Sequence, residues 1–273
     1  MKMQRIIVPT DFSEFAGFAA RAAVAIAWQT GAELSFLHLL PAGVNPPRKS
    51  VGGRKNPARE AADNLQDMTD MAGKQGVKAR SLLLEAEGYR HLVKAILEAN
   101  GDLAIVGSQG KGSLSNSIPG SNTAKILRLC KVPVLVLQKE LDPSALSGPF
   151  VFASGLEADT HAAFEKLLAF KGALSQAPLH LIEIATPNNF RPSSVVRKEM
   201  SDFLSHHECP GIQTHTYNHY NVEAGLLEFS REINASLIAI SNHGRSDLSG
   251  LFIESIPENL IRFSDFPVLS IRV

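Results

Sequence analysis

The glycines near the middle of the chain have residue types and spacing that suit an anion-binding loop. They occur as Gly107-Ser108-Gln109-Gly110, then nine residues, then Gly120-Ser121 at the start of a predicted helix. Glycine lets the backbone approach a ligand closely, and a helix N-terminus offers unpaired N–H groups to a phosphate. The spacing matches neither G-x-x-x-x-G-K-S/T nor G-x-G-x-x-G, so anion binding and a ligand-free connection capped by serine both stay open.

Asp11 is a second candidate, and it follows the first short apolar run, in Pro9-Thr10-Asp11-Phe12-Ser13. This run and the glycine loop both lie after predicted parallel strands, so they should meet at the carboxyl edge of one sheet. A carboxylate there could accept hydrogen bonds from an adenine or ribose, or hold a metal ion bound to phosphates. The alternative is that Asp11 or Ser13 caps the next helix.

A cluster of metal-ligand residue types lies in the second half of the chain. It consists of His206, His207, Cys209, His215 and His219. Zinc takes such ligands, although the spacing fits no common zinc motif. His215 and His219 would share one face of an extended strand, so solvated histidines on a strand and a loop are the simpler interpretation.

The elements that must position these residues alternate between strand and helix. In the first half we predict strands at 5–9, 33–40, 77–85, 103–106 and 132–137, with helices at 13–30, 56–75, 89–100 and 121–130. In the second half we predict strands at 150–153, 179–184, 212–217, 237–240 and 268–273, with helices at 158–174, 193–207, 222–234 and 255–263. Apolar strands alternating with helices indicate parallel sheets that are buried on both faces.

The two halves are an internal repeat, which is the strongest large-scale signal in the sequence. Residues 101–110 resemble 235–244 at an offset of 134, and residues 32–38 resemble 177–183 at an offset of 145. The second copy is therefore shorter in its middle, and we expect the unmatched stretch of the first copy at Pro41–Asn56. The sequence predicts an α/β protein with two tandem Rossmann-like domains, residues 1–140 and 149–273, each a five-stranded parallel sheet with helices on both faces.

Composition sets the broad class. The 273 residues include 27 basic and 27 acidic side chains, and 44% of them are hydrophobic, which is ordinary for a folded protein. The charge divides unevenly, because residues 1–140 carry 18 basic and 12 acidic residues and the remainder carries 9 and 15. With no long apolar run, two cysteines and no basic excess, we expect a cytoplasmic protein that neither spans a membrane nor binds nucleic acid.

Several of these segments resemble one known family. The run Ile7-Val8-Pro9-Thr10-Asp11-Phe12-Ser13, the run Leu37-His38-Leu39 and the spacing G-2X-G-9X-G-S are similar to those of the universal stress proteins. The resemblance covers both copies and implies that the motif-bearing domain binds ATP, usually with a divalent ion such as Mg²⁺. By position, it implies a nucleotide site formed by Pro9, Thr10, Asp11, Leu39, Val106, Gly107, Gln109, Gly110, Gly120, Ser121, Asn122 and Thr123.

The second copy departs from this motif. Ser241 replaces the first glycine, and Glu254-Ser255 replaces Gly120-Ser121. The counterpart of Asp11 is Gly155 or Leu156, depending on where the gap lies. Because Glu254 would repel a phosphate, we expect a degenerate second domain that does not bind ATP in this manner. The resemblance implies that its role is to pair with the first domain, through the last strands near Pro133 and Pro267.

We therefore predict an ATP-binding stress or regulatory protein with no catalytic residues and at most slow ATP hydrolysis. The two domains should pair within one chain, with a homodimer and an unidentified protein partner left open. The first alternative is a module that binds a metal or another non-nucleotide ligand through the second domain. A true ATP hydrolase is the second alternative.

Overall fold

The computed structural model describes residues 3–41, 56–86, 89–109, 120–142, 146–156, 159–242 and 256–273. Strands and helices alternate along all of these segments, as the sequence predicts. Within the described residues, no helix combines the length and the apolar character that crossing a membrane requires.

The described part of the first half contains five strands and four helices. In chain order they are β1 (Arg5–Pro9), α1 (Glu14–Thr30), β2 (Glu33–Leu40), α2 (Pro57–Lys74), β3 (Ala79–Glu85), α3 (Tyr89–Glu98), β4 (Leu103–Gly107), α4 (Ser121–Leu129) and β5 (Val134–Leu137). Local signals explain several ends. The Ser13 side chain caps α1 at its N-terminus, and Gly31 ends α1 at a φ of 72°.

The second half repeats this order. Its elements are β6 (Phe150–Ala153), α5 (Thr160–Leu174), β7 (Leu179–Ala185), α6 (Ser193–Ser205), β8 (Gln213–Asn218), α7 (Val222–Glu232), β9 (Leu237–Asn242), α8 (Ile256–Phe263) and β10 (Val268–Arg272). The predicted bounds of the strands and helices differ from the observed bounds by no more than two residues, as expected where helices fray.

The ten strands of the described residues form one sheet, in the order β3-β2-β1-β4-β5-β10-β9-β6-β7-β8. Neighbouring strands within each half are parallel, whereas β5 and β10 are antiparallel and join the halves, with Leu135 opposite Leu269. The fold is thus two tandem Rossmann-like units that share a continuous sheet.

Helices cover both faces of this sheet because successive strand residues point to opposite sides. In β1, Ile6 and Val8 belong to the hydrophobic cluster on the face that carries α1, α2, α5 and α6, while Ile7 belongs to the cluster on the face that carries α3, α4, α7 and α8. The inner strands are accordingly buried along their length. The outermost strands β3 and β8 differ from the prediction, because many of their residues are exposed where no further strand flanks them.

Strand register fixes how the two copies correspond. Ile6 and Phe150 occupy the same position, since each lies beside the first residue of its β4 or β9 partner. Counting from these positions, Gly155 is the counterpart of Asp11. Part of the length difference lies in the helices, because α6 has 13 residues where α2 has 18, and residues 42–55 of the predicted unmatched stretch lie outside the described residues.

Candidate functional site

The candidate nucleotide site lies at the carboxyl edge of the first half, between β1 and β4. These strands are parallel neighbours, and β1 has β2 on its other side. The chain passes from β1 outward to β2 and β3, then returns to place β4 on the opposite flank of β1. Such a reversal leaves a crevice beyond the strand ends, where open α/β sheets bind ligands.

The loop that follows β1 is held in place mainly through Thr10. The Thr10 amide donates to the Leu37 carbonyl (2.8 Å), and its hydroxyl accepts from the Phe12 amide (3.0 Å). The Thr10 carbonyl accepts from His38 Nδ1 at 2.7 Å, which assigns the ring proton to that nitrogen. Phe12 takes a φ of 58°, unusual for a bulky residue, and its ring lies 4.4 Å from that of His38.

Asp11 does not cap α1, because Ser13 does. The Ser13 hydroxyl accepts from the Ala16 amide at 3.2 Å, while Asp11 Oδ1 accepts from the Ser13 amide at 3.0 Å. Asp11 therefore belongs to a tight turn before the helix and lies half-buried at the edge of the crevice. The turn presents a carboxylate beside the end of β1.

Gly107, at the end of β4, is required by packing against α1. A Cβ on Gly107 would lie 2.5 Å from the backbone carbonyl carbon of Phe15 and 2.6 Å from its oxygen. No side chain fits there without moving the helix. The sequence suggests that this glycine makes room for a ligand, whereas the structure gives it the separate task of letting α1 approach β4.

The chain that leaves β4 and the chain that enters α4 are joined directly. The Gly120 amide donates to the Ser108 carbonyl at 2.8 Å, and the buried Thr123 hydroxyl donates to the Gly107 carbonyl at 2.8 Å. The Thr123 hydroxyl proton is therefore already engaged in a hydrogen bond within the protein, whereas the hydroxyl oxygen can still accept one. These contacts bring the first turn of α4 beside the end of β4.

The first turn of α4 has no side-chain cap. Gly120 stands at the N-cap position and has no side chain that could accept a hydrogen bond, whereas the Ser13 side chain closes the equivalent end of α1. Among the described residues, no side chain therefore occupies the leading amides of α4, and the helix dipole adds a partial positive charge there. Gly120 has a φ of −55°, so its backbone conformation does not itself require glycine.

The structure places the other predicted residues around this crevice. Pro9 ends β1 opposite Leu37, Val106 is buried in the core, and Leu39 and Gln109 are half-buried. Asn122 is exposed on the first turn of α4. Gly110 and the side chain of Ser121 lie outside the described residues. His38 and Phe12, which hold the loop after β1, belong to quoted motifs but were absent from the predicted site.

At the carboxyl edge of the second half, the turn after the first strand resembles that of the first half, but the side chains there differ. Leu156 takes a φ of 65°, and its amide donates to the Ser154 hydroxyl at 3.1 Å, as Phe12 does to Thr10. Gly155 carries no carboxylate. The Ser241 hydroxyl contacts that of Ser154 at 3.3 Å. Gly244, Glu254 and Ser255 lie outside the described residues.

A polar network accompanies the β5–β10 pairing. Arg128 on α4 forms two hydrogen bonds to the buried carboxylate of Glu258 on α8, at 2.6 and 2.8 Å. Asn242 Nδ2 donates to the Leu127 carbonyl, and Arg272 donates to the Arg128 carbonyl. The halves are thus joined by a charged contact as well as by the sheet.

The histidine cluster of the sequence divides among three separate places in the structure. His207 bridges Glu165 and His161 beside Cys209, and burial together with His207 and His206 lowers the pKa of His161. His215 contacts His180 on β7 at 2.9 Å, and burial lowers the pKa of both rings. His219 pairs with Glu228. Among the described residues, no three His, Cys, Asp or Glu side chains are arranged to hold a metal ion.

Comparison with known proteins identifies the family to which these features belong. The sequence model of the universal stress protein family matches residues 2–138 and again residues 150–272. The chain belongs to the universal stress protein family. A universal stress protein of Mycolicibacterium smegmatis is 23% identical over 291 residues, which cover 98% of this chain and 96% of that protein.

Other universal stress proteins correspond to one domain or to both. The protein MJ0577 of Methanocaldococcus jannaschii is 25% identical over 155 residues, covering 50% of this chain and 96% of that protein. A crystal structure from Archaeoglobus fulgidus has a TM-score of 0.71 at 19% identity, covering 98% of this chain and 96% of that one. The fold described above is therefore that of a tandem universal stress protein.

Proposed function

We propose that the first domain of this universal stress protein binds ATP together with Mg²⁺, and that the second domain serves as its structural partner. The observation that carries the proposal is the uncapped first turn of α4, held beside the ends of β1 and β4 by the Gly120–Ser108 and Thr123–Gly107 contacts. Free amides at a helix N-terminus suit a phosphate group.

The remaining parts of a nucleotide site fit around this turn. The carboxylate of Asp11, in the turn after β1, has oxygen atoms that suit a hydroxyl, a base or a divalent ion. The half-buried Leu39 supplies apolar surface at the end of β2. The first domain also carries the basic excess of the chain, with 18 basic against 12 acidic residues up to position 140. That sign favours an anionic ligand.

Equilibrium binding of ATP with Mg²⁺ at neutral pH tests the proposal. The full chain should bind in a saturable manner, and Gly120→Val should abolish binding while leaving thermal unfolding unchanged, because the φ of Gly120 suits any residue. Glu254→Gln in the second domain is the control and should bind as the native chain does. Absence of saturable ATP binding by the native chain would contradict the proposal.

The alternative, a metal held by the second domain, has weaker support. Its predicted ligands, His206, His207, Cys209, His215 and His219, do not come together at one place in the described structure. His207 contacts His161, His215 contacts His180, and His219 pairs with Glu228. Metal analysis of protein purified without a histidine tag distinguishes the two functions. A stoichiometric metal that is lost in His207→Gln would favour this alternative.

A further inference from the structure

An open cleft lies at the carboxyl ends of β7 and β8 in the second domain, away from the proposed ATP site. It encloses about 550 Å³ and is lined by Ala185–Pro187, Phe190 and Asn218–Tyr220. Small-molecule sites in proteins typically enclose about 300–1,000 Å³. The cleft is therefore of a size that suits a small ligand.

Two aromatic rings at this cleft are almost fully exposed. Phe190 is 73% exposed and Tyr220 is 89% exposed, higher fractions than for Trp28 or Phe263 elsewhere on the surface. They come from different loops, one after β7 and one after β8. Large apolar side chains exposed together at one cleft mark an interaction site more often than single exposed residues do.

The backbone on both sides of Phe190 is fixed. Asn189 Oδ1 accepts from the Thr186 amide and hydroxyl, and Asn189 Nδ2 donates to the Ile184 carbonyl. On the other side, Arg191 pairs with the buried carboxylate of Glu183 at 2.8 Å and also with Glu199. Phe190 is thus displayed by a loop whose neighbouring residues are already ordered.

The backbone around Tyr220 is fixed in a similar way. The His219 amide donates to the Ala185 carbonyl at 2.9 Å, and the His219 ring contacts the Asn221 amide and Glu228. The Asn221 side chain caps α7 by accepting from the Ala224 amide. Because both rings stand on ordered backbone, a ligand that stacks on them has little loop entropy to overcome.

The charged residues at and near the cleft indicate which class of ligand it can bind. Among the described residues that line the cleft there is no lysine or arginine, and the nearby Arg191 is engaged by two carboxylates. The carboxylate of Glu228 lies beside His219. An anion would gain little here, whereas a flat uncharged ring would gain stacking contacts.

We propose that this cleft binds an uncharged, planar, fused-ring heteroaromatic molecule of nucleobase size. Phe190 and Tyr220 supply the stacking surfaces, and the exposed amide of Asn218 at the end of β8 supplies a donor and an acceptor for the edge of the ring. The proposal concerns the second domain alone and does not depend on ATP binding by the first.

Caffeine is a suitable probe because it is planar and uncharged and has no sugar or phosphate. Saturation-transfer NMR on the full chain should show saturable binding. Phe190→Ala and Tyr220→Ala should each weaken it by about tenfold, the usual effect of removing one stacking ring. Tyr220→Phe should bind as the native chain does, and theophylline-7-acetate, with the same ring and a carboxylate, should bind more weakly.

Two further variants test whether caffeine binds at this cleft and not elsewhere on the chain. Phe263→Ala removes another exposed ring of the second domain outside the cleft, and Gly120→Val alters the first domain, so both should leave caffeine binding unchanged. No saturable binding by the native chain, or equal binding by Phe190→Ala and Tyr220→Ala, overturns the proposal. A dimer in sedimentation that these two variants dissociate also overturns it, because the rings would then form a contact between copies of the chain.

Discussion

The two domains share a strand order and the turn after their first strand, yet the same edge of the sheet differs in chemistry. The first domain has Asp11, Gly107 and His38 where the second has Gly155, Ser241 and Glu183. The difference shows that the positive φ of Phe12 and Leu156 belongs to the fold, because it persists where the carboxylate is lost. The carboxylate, by contrast, is a feature of the first domain only.

The interface between the domains is also unequal on its two sides. In an exactly two-fold arrangement, each contact would occur twice. Arg128 pairs with Glu258, but the reciprocal pair would join Arg262 to position 124, which is alanine. The Arg128–Glu258 contact thus has no reciprocal copy. A symmetric dimer of identical domains would have either two copies of such a contact or none. The tandem chain has therefore diverged at the interface as well as at the candidate site.

The largest expected effect comes from exchanging the residues at the ends of β4 and β9. Gly107→Ser should lower the free energy of unfolding by about 3 kcal/mol, because its Cβ would lie 2.5 Å from the Phe15 backbone. Ser241→Gly, the reverse exchange in the second domain, should cost less than about 1 kcal/mol. Chemical denaturation measures both values. Equal losses in the two variants would show that α1 and α5 pack against the sheet in the same way.

A smaller effect is expected at the interface, and it should depend on which partner is removed. Arg128→Met leaves the Glu258 carboxylate, 5% exposed, without its bidentate partner and should cost about 2 kcal/mol. Glu258→Gln leaves a guanidinium that is 46% exposed and can turn to water, so about 1 kcal/mol is expected. Thermal unfolding tests the order, and a larger loss in Glu258→Gln would contradict this account.

The order of elements was predictable from the sequence, whereas contacts across the fold were not. Apolar strands between helical segments, with Gly31 as a helix stop, are local signals. The repeat indicated how the halves correspond, but strand register was needed to assign Gly155 as the counterpart of Asp11. The closeness of Gly107 to Phe15 depends on how a helix lies on a sheet. The Arg128–Glu258 pair joins residues 130 apart, and no local pattern indicates it.

His38 should contribute modestly to stability and to the order of the loop after β1. His38→Leu removes the donor to the Thr10 carbonyl and should cost about 1 kcal/mol. ATP affinity should fall with it, because the Asp11 turn follows Thr10 directly. His38→Asn can place an amide donor where Nδ1 lies and should restore much of both losses. If His38→Leu and His38→Asn behave alike, the hydrogen bond is not what holds the loop.

The smallest expected effect is a dependence of stability on pH that belongs to the second domain. Burial lowers the pKa of His180 and His215 below the usual 6.5, and the two rings share one hydrogen bond at 2.9 Å. Below pH 6.5 the unfolded chain therefore binds more protons than the folded chain, so stability is full above that pH and falls as the pH drops.

Denaturation midpoints at pH 7.5 and 5.5 measure this difference. His180→Gln should reduce it, because only one ring of the pair then resists protonation. His91→Gln, which replaces an exposed histidine of the first domain, is the matched control and should leave the pH dependence as it is in the native chain.

Ser35 occupies the position of His180 in the first domain, so that domain has no such pair on its second strand. A His180→Gln chain that still loses the native amount of stability between the two pH values would assign the dependence to other groups, with His161 the next to vary.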